Sequence, residues 1–198
     1  VQKAEKLEEN NFGSKNMVAL IVPAGNYENE KKLLQDLEAC PEVDYTMGLA
    51  NIEAMDGYNL TDKLTPRQFS ELIDLDYEVA ELVYAAYAVN DEDYAKVVNG
   101  LSGYSVPLID MFMFVHDEVD EGYVTLDDEL QETLDDAYEQ MNFAMNQLQG
   151  ENYSRMLVYL TLPEESEETF AFLDRMHDIA GKSYDGKILV GGESVSQY

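Results

Sequence analysis

The chain has 198 residues, 41 acidic against 12 basic, and a formal net charge of −29. Such a surface repels phosphate backbones and anionic lipid headgroups, which excludes nucleic acid as a partner. Hydrophobic residues make up 45%, too many for a disordered acidic tail, and the length suffices for one core with a sizeable insertion.

Residues 1–16 are polar, with a helix-like run from Ala4 to Glu9, and the opening shows no apolar core of a signal peptide. Residues 17–22 read as a buried strand: short, apolar, rich in β-branched side chains and stopped by Pro23. A turn at Gly25-Asn26 leads into a helix over 27–39 with Leu33, Leu34 and Leu37 on one face, ended by Pro41. Residues 43–49 read as a second strand, completing a βαβ unit.

The segment from Tyr58 to Gln149 reads as helical. Thr65-Pro66 is an N-cap followed by Pro at the first helical position. A helix over 76–89 carries Val79, Leu82, Val83, Ala86 and Tyr87 at helical spacing, and a short helix over 91–98 ends at Asn99-Gly100. Residues 106–119 are strongly apolar. A long helix over 125–148 has the stripe Leu130, Leu134, Ala137, Met141, Met145 and Leu148.

The last third repeats the first plan. Residues 155–162 read as a strand, and Pro163 opens a helix with early acids (Glu164, Glu165, Glu167, Glu168) and the apolar face Phe170, Leu173, Met176 and Ala180. Residues 187–190 form a fourth strand before Gly191-Gly192. Two βαβ units predict an α+β protein: a ferredoxin-like split βαβ sandwich with a large all-helical insertion between strands two and three. The expected division is a discontinuous sheet domain, 1–58 with 150–198, and a helical lobe, 59–149. The two most apolar strands, 17–22 and 155–162, should pair antiparallel at the sheet centre. One face of that sheet takes the helices, and the other needs a cover or a partner.

Little in the chain points to catalysis. His116 and His177 are the only histidines, and neither has a Cys or second His at metal-ligand spacing. Cys40 is the single cysteine, so no internal disulfide forms. The acidic run from Asp117 to Asp128 places Gly122 and Asp128 where a calcium loop needs them, but Val119 stands where an oxygen ligand belongs. No P-loop, dinucleotide fingerprint or nucleophile elbow is present. No catalytic residue, metal or cofactor is therefore assigned. The candidate contact surface is Leu108-Ile-Asp-Met-Phe-Met-Phe-Val115, apolar around nearly its whole circumference. Its Leu108, Met111, Phe112, Met113 and Phe114 suit either the buried centre of the insert or a pliable surface for a greasy substrate or partner subunit.

Several strings, in their order along the chain, resemble the extracytoplasmic domain of the RND superfamily in its MMPL-like bacterial exporter branch. They are Asn16-Met-Val-Ala-Leu-Ile-Val-Pro23, Leu37-Glu-Ala-Cys-Pro-Glu-Val-Asp-Tyr45, Asn152-Tyr-Ser-Arg-Met-Leu-Val-Tyr-Leu160 and Lys187-Ile-Leu-Val-Gly-Gly-Glu-Ser194. Within the insert, Leu64-Thr-Pro-Arg-Gln-Phe69 and Val83-Tyr-Ala-Ala-Tyr87 resemble the helical segment of such exporters. Glu42 follows Pro41 where the family often has Gly. The resemblance covers essentially the whole chain. It implies a soluble, non-catalytic domain on the extracytoplasmic side of a bacterial cell membrane. The parent would be a proton-driven exporter of drugs, lipids or peptides. The implied partners are the transmembrane domain and second extracytoplasmic domain of the same parent chain, together with a hydrophobic or amphipathic substrate. The family's proton-carrying residues lie in membrane helices and have no counterpart in this chain. The rival expectations are a free-standing extracellular binding module of ferredoxin-like type and an acid-rich hydrolase.

Overall fold

A computed structural model describes residues 16–163, 166–184 and 188–192. They are mixed α and β and divide into two compact units. One comprises the described residues of Val1–Glu53 and Ala144–Tyr198; the other is Ala54–Phe143. The expected helix-like run from Ala4, the acids Glu164 and Glu165, Lys187 of the fourth strand and the string beyond Gly192 lie outside the described residues.

The first unit is built on four antiparallel strands: β1 (Asn16–Pro23), β2 (Val43–Met47), β7 (Tyr153–Leu160) and β8 (Leu189–Gly192). Their order is β2-β7-β1-β8, so the two most apolar strands form the central pair, as expected, with Val18 opposite Val158 and Leu20 opposite Met156. Alternation sends Val18, Leu20, Val22, Met156, Val158 and Leu160 to one face. Two helices supply the rest of that core. In α1 (Tyr27–Glu38) the Asn26 side chain caps the start by accepting from the Asn29 amide at 3.0 Å, and Leu33, Leu34 and Leu37 face the sheet. In α6 (Glu167–Gly181) Ser166 caps the start, and Thr169, Phe172, Met176 and Ala180 turn inward. The expected face is corrected at one position: Phe170 is 52% exposed and Phe172 takes its place in the core. The three-and-four spacing back from Met176 reaches Phe172 and Thr169, and misses Phe170.

The edge strand β2 is tied to α1 by a polar cluster. Asn51 donates through Nδ2 to the Thr46 carbonyl (3.2 Å) and Oγ1 (3.1 Å), while Thr46 Oγ1 donates to Glu38 at 2.6 Å. The strand ends at Met47, short of Leu49, and a 3₁₀ turn, Leu49–Asn51, follows; at Gly48 between them a Cβ would meet the Leu34 side chain at 2.9 Å.

The second unit is mostly helical, a correction to the all-helical expectation. It holds α2 (Pro66–Ile73), α3 (Tyr77–Ala88), α4 (Leu108–Asp120) and most of α5 (Asp128–Leu148), but also two short ladders. The hairpin β3 (Glu53–Met55) to β4 (Tyr58–Asn59) turns through Asp56 (φ 48°) and Gly57 (φ 84°). Positive φ at both central residues is the geometry that Asp-Gly suits. Strand β5 (Lys63–Leu64) pairs antiparallel with β6 (Val106–Pro107). The expected helix over 91–98 is a 3₁₀ turn, Glu92–Lys96.

The core of this unit is aromatic. Phe69 meets Tyr84 and Phe112 edge-on, with centroids 5.9 and 5.6 Å apart, and the Tyr84 hydroxyl donates to the Leu64 carbonyl at 2.7 Å. Leu134, Ala137 and Met141 of α5 are buried, as its stripe implies. Helix α3 is corrected: it buries Ala80, Val83 and Tyr84 and leaves Leu82 71% exposed.

Candidate functional site

The apolar helix that the sequence offers as a contact surface divides in two. Leu108, Met111 and Phe112 are fully buried and form core, because α4 turns that side toward Phe69 and its neighbours. Met113 and Phe114 are half-buried, and Phe114 meets Tyr87 edge-on at 5.3 Å. The string's one charge, Asp110, is half-buried, and its carboxyl is pushed up to about 6 by burial and then by the nearby Asp91. Asp91 itself accepts from the Tyr104 hydroxyl.

Of the groups considered for metal, His116 Nδ1 lies 4.0 Å from Asp117 Oδ1. His116 stacks flat on Tyr138 with centroids 3.5 Å apart, and His177 is exposed on α6. Residues Asp117 to Asp120 form the last turn of α4, so their carboxylates do not wrap as a calcium loop would. Asp127 accepts from the Leu130 amide at 2.8 Å and caps α5. Among the described residues no three His, Cys, Asp or Glu side chains gather as metal ligands do. Cys40 packs against the sheet core, and burial pushes its thiol up. Glu30 of α1 is buried beside Ser154 and Tyr184, and burial pushes its carboxyl up, with the Ser154 hydroxyl pulling the other way.

The strongest candidate in the sheet unit is on the face turned away from α1 and α6. The register sets Ile21 opposite both Arg155 and Leu189, and Pro23 opposite Tyr153. With Ala19 and Asn152 these line an open groove of about 640 Å³. Tyr153 and Leu189 are exposed, and Arg155 has no ion pair among the described residues. An apolar trough with one guanidinium suits a ligand with a greasy body and a polar or anionic end. Among the described residues that line it, no nucleophile is paired with a base. The sequence carried a signal for this site: β1 is apolar at Ala19 and Ile21 as well as at Val18 and Leu20, more than a strand with one wet face needs.

In comparison with known proteins, no family model, curated protein or solved structure matches the chain.

Proposed function

We propose that this chain is the extracytoplasmic domain of a proton-driven, RND-type exporter of the MMPL-like branch, shaping a substrate path or a subunit contact and catalysing nothing itself. The observation that carries the reading is the strand order β2-β7-β1-β8, with α1 and α6 contributing to one core against one face. Counted along the sheet strands alone this is 2-3-1-4, the order of a ferredoxin-like split βαβ sandwich, and we read the sheet unit as that fold. The mostly helical unit enters between its second and third strands, where the fold needs only a hairpin. The strings that resemble the exporter family include β1, the end of α1 with β2, and β7, which are the sheet's own elements.

No helix among the described residues is long and apolar enough to cross a membrane, so the spans of such an exporter would belong to other parts of the parent chain. The groove beside Ile21 and Arg155 is the surface we assign to a hydrophobic or amphipathic substrate. The test is dye retention by cells making the full gene product and by cells lacking it. The producing cells should retain less of at least one amphipathic dye with a polar or anionic end, and a protonophore should erase the difference. Equal retention across a broad dye panel, or a difference that survives the protonophore, would count against the proposal.

A further inference from the structure

Helix α3 is apolar on two sides. Its inner side is Ala80, Val83 and Tyr84. Its outer side carries Val79, Leu82 and Ala86, and Val89 continues the pattern at the C-cap. Steps of three, four and three residues put these four on one stripe, the spacing by which one helix meets another. Leu82 and Val89 are 71% and 80% exposed.

The stripe has an opposite wall. After α4 the chain turns through Gly122 (φ 86°) and brings up Tyr123 and Val124. That turn is held by the helix end: the Tyr123 amide donates to the Glu118 carbonyl at 2.9 Å and the Gly122 amide to the Val119 carbonyl at 3.1 Å. Between the walls lies a groove of about 350 Å³ in which Glu118 is the one charged side chain. Glu118 has no ion pair among the described residues, and the exposed Glu78 borders the stripe.

We propose that this groove docks a cationic amphipathic helix. From Val79 to Val89 the stripe runs about 15 Å at the helical rise, enough for roughly three turns of a partner. Its apolar seam would take the partner's aliphatic side chains, and Glu118 and Glu78 would meet Lys or Arg flanking them. Charge selects this occupant over two others: at −29, a second copy of the chain and an anionic membrane are both repelled. The inference does not depend on the exporter reading.

The test is fluorescence anisotropy with a fluorescein-labelled fourteen-residue peptide of Leu and Lys only, its leucines at three-four spacing. The 198-residue chain is the titrant, at near-physiological salt. Saturable binding is expected, weakened at least about tenfold by Leu82→Asp and unchanged by Val98→Asp, a still more exposed position that does not line the groove. Leu82→Asp adds negative charge, so attraction that was merely electrostatic would stay equal or tighten in this variant. That outcome would overturn the proposal. So would an equal loss in Val98→Asp, or equal binding of a Leu/Glu peptide of the same pattern. Sedimentation showing a dimer of the chain that Leu82→Asp dissociates would give the stripe to a second copy instead. Thermal unfolding of each variant checks that the fold persists, and Leu82→Gln, which adds no charge, must weaken binding in the same direction.

Discussion

At the scale of single residues, Asp110 is the carboxyl with the clearest consequence. Its folded value is raised from 3.8 to about 6 by burial and by Asp91, so the folded state holds the proton more tightly than the unfolded state does. Stability therefore falls as pH rises from about 4 to about 6, and the full cost stands above that. Asp110→Asn should raise stability at pH 7.5 by up to roughly 3 kcal/mol, a ceiling set by a shift of about two units. The gain should shrink toward zero near pH 4. Melting temperatures of both proteins across that range check this, and a pH-independent difference would contradict it. Glu30→Gln should also stabilise at neutral pH, since burial raises that carboxyl too. A second residue-scale test separates the two aromatic positions of α6. Phe172→Ala should cost about 3–5 kcal/mol in urea unfolding, and Phe170→Ala within about 0.5, because only Phe172 is buried. The sequence offered Phe at both positions, and the helix phase that chooses between them depends on which side meets the sheet.

At the scale of elements, long periodic segments declared themselves. The helix over 27–39, the stripe of α5 and the strands 17–22 and 155–162 all appear within a few residues of expectation. Cap chemistry was equally readable. Thr65 accepts from the Gln68 amide at 3.3 Å, and Gln68 Oε1 accepts from the Thr65 amide at 2.9 Å. Thr65→Ala should cost about 1 kcal/mol, with Thr65→Ser retaining most of it, as equilibrium unfolding would measure. Two kinds of element were not readable. The β3–β4 and β5–β6 ladders have strands of two or three residues, too short to carry a period. Helix α3 is apolar on two sides, so spacing alone could not say that Val83 and Tyr84 turn in while Leu82 turns out. The same ambiguity divided α4, where Met113 and Phe114 are half-buried but Leu108, Met111 and Phe112 are core.

At the scale of the whole molecule, the α+β class followed from the duplicated βαβ pattern, because crossover lengths and apolar strands are local features. The apolar character of β1 signalled a second covered face, but the lining of the groove beside Arg155 did not follow, since it depends on which sheet face the helices occupy and which side chains the register aligns. At this scale we propose a location: the domain would stand on the extracytoplasmic side of a membrane as part of a larger exporter. The most direct measurement places a single thiol at Val98, which is 93% exposed, in the full gene product with Cys40→Ala. Intact cells are treated with a membrane-impermeant maleimide, and the label is followed into carbonate-washed membranes. The exporter reading predicts labelling without lysis, in a membrane-retained protein larger than 22.4 kDa. Labelling only after lysis, or label on a soluble protein freed by the carbonate wash, would contradict it.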